Sequence, residues 1–180
     1  CGRAVRLRFE GVNNSAQVWV NGVEVGYHES GFTAFEYDIA PLVRFGAENT
    51  IAVRVAKWTL THEYDTDDMW FLGGLWRDVY LYSLPSTRID DYTLKTVFDR
   101  DYRDATLSAN LKLHAEAAGR VELSGELRDG DGALVEIEGL RASVDLAGGA
   151  QQVTLAGRVR APRQWSAETP HLYALTLRLA

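Results

Sequence analysis

The densest group of side chains that could do chemistry is a run of acidic residues at positions 63–68. Glu63, Asp65, Asp67 and Asp68 fall in a stretch, 59–77, where apolar residues follow no regular period. Loops longer than about 12–15 residues without regular structure are uncommon in compact domains and are often functional. When a pair of carboxylates catalyses hydrolysis, the two groups lie on opposite sides of the bond that is cleaved. Because these acids share one loop, they indicate oxygen ligands for a hydroxyl or a hard cation, with a solvated acidic loop as the alternative.

A second acidic motif, Asp129-Gly-Asp-Gly132, could indicate calcium, but it lacks the further acidic ligands of an EF-hand loop. Alternating strands flank this motif, so the sequence predicts a hairpin turn there. The four histidines show no metal-ligand spacing. The sequence contains no Gly-x-Ser-x-Gly elbow, no phosphate loop and no Gly-x-Gly-x-x-Gly run. We therefore predict no catalytic residue within these 180 positions.

The amino-acid composition indicates which classes of partner and which cellular compartment to expect. The chain is 46% hydrophobic and 24% charged, close to the averages of folded domains. Its net charge is −6 and it has no basic stripe, so nucleic acid and membrane are poor partner predictions. No apolar run approaches the roughly 20 residues of a membrane span. The single cysteine, Cys1, cannot form an internal disulfide and fits a reducing compartment, so we expect a cytoplasmic protein.

The segments around the acidic loop are predicted to be strands, because their apolar residues recur with period 2. The run 5–9 alternates Val, Leu and Phe with arginines, and 16–20 alternates in the same way. Asn21-Gly22 follows, and this dipeptide tolerates the two positive φ angles of a type I′ hairpin turn. Alternation returns at Val79.

A boundary is predicted at Leu84-Pro-Ser-Thr87, which suits a short linker. We therefore expect one domain over 1–85 and a second over 86–180. The second contains seven strand-like runs, at 88–98, 106–115, 120–128, 133–138, 140–147, 151–160 and 172–180. Seven short strands favour an immunoglobulin-like sandwich, although the Cys…Trp…Cys pattern of antibody domains is absent. The predicted fold class is all-β.

The tryptophans allow two interpretations. Trp19 lies on the strand face opposite its apolar neighbours, where it could stack on a sugar or pack beneath another module, and packing is favoured. Trp58, Trp70, Trp76 and Trp165 are interpreted as core or interface residues.

Five stretches resemble glycoside hydrolase family 2, in its β-galactosidase branch. They are Val20-Asn-Gly-Val-Glu-Val-Gly-Tyr27, Phe35-Glu-Tyr-Asp-Ile39, Glu48-Asn-Thr-Ile-Ala-Val-Arg54, Asp68-Met-Trp-Phe-Leu-Gly-Gly-Leu-Trp-Arg-Asp-Val79 and Trp165-Ser-Ala-Glu-Thr-Pro-His-Leu-Tyr173. The resemblance implies a partial jelly-roll sugar-binding domain over 1–85, followed by an immunoglobulin-like domain over 86–180 that lacks its last strand. It implies truncation at both ends. The catalytic acid/base and nucleophile would lie on a (β/α)₈ barrel, which needs about 200 residues or more.

The resemblance assigns one functional residue. Asp68 would bind galactosyl hydroxyls as a substrate ligand and would be one ligand of a sodium ion, with magnesium bound elsewhere in the parent enzyme. A carboxylate suits both tasks, because it accepts hydrogen bonds strongly and ligates hard cations. The implied partners are the catalytic barrel of the same chain and a galactoside substrate, and a homo-oligomer is allowed. Two alternatives stay open: a free-standing carbohydrate-binding module and a structural or adhesive sandwich.

Overall fold

The computed structural model describes residues 3–65 and 72–180, and these are mostly β-strand with one short helix. The all-β prediction is therefore confirmed. The chain divides into two compact units, Cys1–Pro85 and Ser86–Ala180. Across the described ranges, no helix has the length and apolar character that crossing a membrane requires.

The first unit combines two three-stranded sheets with a two-stranded ladder. Its described elements are β1 (Arg3–Phe9), β2 (Val12–Asn13), β3 (Ser15–Val20), β4 (Val23–Glu29), β5 (Phe35–Asp38), β6 (Ile51–Ala56), α1 (His62–Asp65), β7 (Gly74–Leu75) and β8 (Val79–Pro85). All pairings are antiparallel. β1 lies between β5 and β8, β3 lies between β4 and β6, and β2 pairs with β7.

Alternate side chains of β1 and β3 form the core of this unit. Leu7 and Phe9 on β1 and Val18 and Val20 on β3 are each at most 1% exposed and belong to one apolar cluster. Arg8 lies between Leu7 and Phe9 and makes ion pairs of 2.7 and 3.1 Å with two glutamates. Because the core joins residues of both sheets, the unit is a β-sandwich.

The predicted hairpin between β3 and β4 is confirmed. Asn21 and Gly22 have φ angles of 52° and 84°, and Val20 pairs with Val23 across them. Two positive φ angles are what a type I′ turn requires, and they match the twist of the flanking strands. The register shifts at Trp19, so the strand pair also contains an irregularity that the alternating pattern did not predict.

The second unit is a sandwich of two antiparallel sheets. Its strands are β9 (Thr87–Phe98), β10 (Ala105–Ala115), β11 (Gly119–Arg128), β12 (Leu134–Val135), β13 (Arg141–Leu146), β14 (Gly149–Val159) and β15 (Ala174–Leu179). β10 lies between β9 and β14. β11 pairs along one edge with β13 and then β12, and along its other edge with β15.

Strict alternation on β10 supplies much of the second core. Its inward residues are at most 7% exposed: Ala105, Leu107, Ala109, Leu111, Leu113 and Ala115. Backbone atoms leave no room for a side chain at Gly139 and Gly157, where an added Cβ would overlap a backbone oxygen of Ala156 or Glu138. No larger residue fits at either position without moving the backbone.

The turn at 129–132 is a hairpin connection, as predicted. The Asp129 carboxylate accepts hydrogen bonds from the backbone N–H of Asp131 at 3.0 Å and of Ala133 at 2.8 Å. Gly132 has a φ of 83°. The carboxylate therefore closes the turn between β11 and β12. Within the described part of the chain, no three His, Cys, Asp or Glu side chains come together as metal ligands.

Candidate functional site

The structure describes the acidic loop at its two ends, up to residue 65 and from residue 72. Asp68, the predicted sugar and sodium ligand, lies outside the described residues, as do Asp67 and Trp70. Glu63 is exposed on α1. The residues that hold the two ends of the loop belong to two short segments, 13–14 and 29–31, which we name together the loop platform.

Asn14 is the centre of the loop platform and is only 1% exposed. Its backbone carbonyl accepts a hydrogen bond of 3.1 Å from Ser30, and its backbone N–H donates to Ala56 at 3.4 Å. The side-chain Nδ2 donates to the backbone carbonyl of Lys57 and lies 2.8 Å from Nδ1 of His62. Since Nδ2 can only donate, Nδ1 is the acceptor, and the neutral imidazole carries its proton on Nε2.

His62 joins the loop platform to the start of the acidic loop. It is the first residue of α1 and is 4% exposed. Its backbone N–H donates to Thr59 at 3.2 Å, which closes the turn before the helix. Its ring meets the ring of Trp58 edge to face, with centroids 4.5 Å apart. A histidine in this position is held by an amide on one side and an aromatic ring on another.

Glu29 provides a second contact to the same end of the loop. Its Oε1 accepts from the backbone N–H of Thr61 at 3.2 Å and from the Thr61 hydroxyl at 3.1 Å. Its Oε2 accepts from the Tyr27 hydroxyl at 2.8 Å. The Tyr27 hydroxyl and the Thr61 N–H lower the pKa of Glu29 from 4.5 to about 2, because both donate to the charged form. The carboxylate is therefore ionised at neutral pH.

The other end of the loop returns to the same platform. Trp76 Nε1 donates to the carbonyl of Gly31 at 3.0 Å, and the guanidinium of Arg77 lies 4.0 Å from the Trp76 ring centroid. Gly74, two residues before Trp76, belongs to β7 and lies opposite Asn13 on β2. The described residues on either side of segment 66–71 thus contact neighbouring residues of the loop platform.

Two buried amide oxygens of the platform have no hydrogen-bond partner among the described residues, Oδ1 of Asn13 and Oδ1 of Asn14. Asn13 Oδ1 packs against Gly31, where an added Cβ would lie 2.8 Å from the oxygen. Amide oxygens are ligands of hard cations, but calcium takes six to eight oxygens. Two oxygens do not make such a site.

The tryptophans differ from the core interpretation. Trp58, Trp76 and Trp165 are 69%, 41% and 63% exposed, so none is a core residue of its unit. Trp76 contacts Gly31 through its indole N–H. Trp19 is partly buried on the outer face of β3. Large aromatic rings that remain exposed are typical of interface residues.

Sequence comparison covers both units. Residues 2–85 match the family described as "Glycosyl hydrolases family 2, sugar binding domain", and residues 87–180 match "Glycosyl hydrolases family 2". The chain belongs to glycosyl hydrolase family 2. The resemblance predicted from the five motif stretches is therefore confirmed.

Curated family 2 relatives carry the name β-galactosidase. The chain is 36% identical to one from Priestia megaterium over 97% of its own length, and 37% identical to one from Clostridium acetobutylicum over 94%. It spans only 17% and 18% of these two relatives, about a sixth of their length.

Two solved structures share the fold over nearly the whole chain. A β-glucuronidase from Bacteroides uniformis superposes with a TM-score of 0.88 at 28% identity, covering 99% of this chain and 22% of that one. A putative β-galactosidase from Bacteroides fragilis gives a TM-score of 0.81 at 26% identity, covering 99% and 28%. The folds of the two sandwiches are thus also found in these two proteins.

Sequence reasoning did not identify the loop platform. It excluded the histidines because none had metal-ligand spacing, whereas His62 acts here through an amide. One signal was present in the sequence. Asn13-Asn14-Ser15 interrupts apolar alternation between Val12 and Ala16, and three polar residues between two buried apolar positions indicate a special role.

Proposed function

We propose that this chain is the non-catalytic, sugar-binding part of a retaining family 2 glycosidase that hydrolyses terminal β-galactosides. The supporting observation is the match of both units, along nearly the whole chain, to curated β-galactosidases. A (β/α)₈ barrel elsewhere in the same chain would supply the two carboxylates, which a retaining mechanism places about 5–5.5 Å apart. The matched region's small share of its relatives leaves room for such a barrel.

In this proposal the described residues orient the loop, and Asp68 binds the sugar and a sodium ion. Asp68 accepts hydrogen bonds from galactosyl hydroxyls and supplies one oxygen ligand to sodium. A single carboxylate agrees with sodium's preference for oxygen, and the remaining ligands would come from the barrel. Asn14, Glu29 and Gly31 hold the two ends of the loop that carries Asp68.

The test is the Asp68→Ala change in the full-length enzyme, assayed with aryl β-D-galactosides. We expect kcat/KM to fall by about 10²-fold or more, or about 2.7 kcal/mol of transition-state stabilisation. Asp101→Ala, the same change at an exposed position of the second unit, is the control and should be silent. Full activity in the Asp68 variant would make Asp68 a bystander.

A parallel assay addresses substrate and function class. The Bacteroides uniformis structure is a β-glucuronidase, so aryl β-D-glucuronides belong in the same series. Faster hydrolysis of glucuronides would replace the galactoside proposal. The second candidate is a free-standing carbohydrate-binding module, which the exposed tryptophans favour. Submillimolar binding of galactosides by the 180-residue chain alone would support that candidate.

A further inference from the structure

His62 combines three features that a surface loop does not need. It is buried, it contacts a buried amide at 2.8 Å, and it opens the helical turn that leads into the acidic segment. We propose that His62 is a positioning residue, through which Asn14 sets the placement of the loop that carries Asp68. This inference rests on the proposed function, since it assigns a role in sugar binding to a residue that touches no sugar.

A small shift in the contact between Asn14 and His62 would move the start of the acidic loop. Only five residues separate His62 from Asp68, and the far end of the loop is fixed independently by Trp76 and Gly31. A loop held at both ends can place a carboxylate closely, whereas a loop held at one end samples more positions. Misplacement of a binding group by about 1 Å can cost about 10²-fold in rate.

The direction of the hydrogen bond determines which replacements should work. Asn14 Nδ2 is the donor, so residue 62 must offer an acceptor at the position of Nδ1. Asparagine does so, because its Oδ1 is bonded to Cγ just as Nδ1 is in histidine. Phenylalanine retains a ring against Trp58 but offers no acceptor. The two variants separate the hydrogen bond from the packing of the ring.

The experiment is a mutant cycle in the full-length enzyme with aryl β-D-galactosides. We expect His62→Phe to lower kcat/KM about 10-fold, mainly through KM, and His62→Asn to stay within about 3-fold of wild type. In the Asp68→Ala background, His62→Phe should cost less than about 2-fold more, because the residue acts only through Asp68. His171→Phe, at an exposed histidine of the second unit, is the matched control.

Additive losses in the double variant, or equal losses in His62→Phe and His62→Asn, would overturn the proposal. The result is distinct from failure of the proposed function, which would appear as full activity in Asp68→Ala alone. In that event backbone hydrogen exchange decides whether His62 holds the loop at all. Exchange in segment 59–65 should be faster in His62→Phe, with segment 72–77 and β10 unchanged, because Trp76 and Gly31 hold the far end independently. Unchanged exchange in segment 59–65 would reject the positioning role.

Discussion

Two strands of this chain bury their residues in opposite ways. On β10 in the second unit, every odd-numbered residue is buried and every even-numbered residue is partly or fully exposed. At the entry to β3 in the first unit, six consecutive residues, 11–16, are buried. A strand with one face in the core produces the first pattern. The second pattern means that both faces are covered, and at residues 13–15 the buried side chains are polar.

The difference shows what each region contributes. Burying an amide without a hydrogen bond costs a few kcal/mol, so a chain does it where the contact provides something that packing does not. Asn14 recovers part of that cost through His62, which lies in the acidic loop, and through Lys57, which lies just before it. β10 needs no such contacts, because it only fills a core. The first unit thus buries polar side chains beside the acidic loop, whereas the buried face of β10 is apolar.

The largest expected effect tests the packing side of this comparison. At Gly157 a methyl group would overlap the carbonyl oxygen of Glu138 and the side chain of Ile137, so Gly157→Ala should destabilise the chain by about 3 kcal/mol. Gly119→Ala is the control, since nothing lies within 4 Å of its added Cβ, and it should change stability by less than about 1 kcal/mol. Urea unfolding measures both. Equal effects would mean that the backbone contact at Gly157 adapts freely.

The same substitution in each region gives the next effect. Asn14→Ala removes the donor to Lys57 and His62 and should cost about 2 kcal/mol, because buried acceptors lose their partner. Asn110 is exposed on β10, and its Oδ1 accepts a hydrogen bond from the Thr154 hydroxyl. Asn110→Ala removes this acceptor and should cost less than about 0.5 kcal/mol. Urea unfolding again provides the measurement. If Asn110→Ala cost as much, buried polarity would not distinguish the two regions.

The second unit was predictable because its signals are local. The predicted run 106–115 is β10 (Ala105–Ala115), and 120–128 is β11 (Gly119–Arg128). Alternation and turn residues sit next to one another in the chain, so one sequence reveals them. The run 133–138 is the exception, since only Leu134–Val135 pairs. The chain turns away at Gly139, whose φ is 93° and whose backbone packs against Ala156, and that contact is invisible in the local pattern.

The loop platform was not predictable because its contacts join distant positions. Asn14 and His62 are 48 residues apart, and Gly31 and Trp76 are 45 apart. Nothing in the spacing of one sequence pairs them. Sequence reasoning identified an acidic loop without period, and it overlooked the Asn-Asn pair that breaks alternation. The family motif pointed to Asp68 but not to the residues that hold its loop.

The smallest expected effect concerns the charge on the platform. Hydrogen bonds from Tyr27 and Thr61 lower the pKa of Glu29 to about 2 in the folded chain, from 4.5. A lowered folded-state pKa contributes stability that is fully present above about 4.5 and is lost as the pH falls toward about 2. Glu29→Gln should therefore speed hydrogen exchange at the Thr61 amide above that range, and the ratio of variant to wild-type rates should approach one as the pH falls.

Asp91→Asn is the matched control for Glu29→Gln in the second unit. The Lys112 ammonium, 2.7 Å away, lowers the pKa of Asp91 through a contact on the outer face of β10 and β9. Removing that charge should leave the Thr61 exchange ratio at one across the whole pH range. A ratio for Glu29→Gln that did not change with pH would show that the carboxylate holds Thr61 by shape alone. The pH-dependent ratio would show instead that the loop platform depends on an ionised group, which β10 does not.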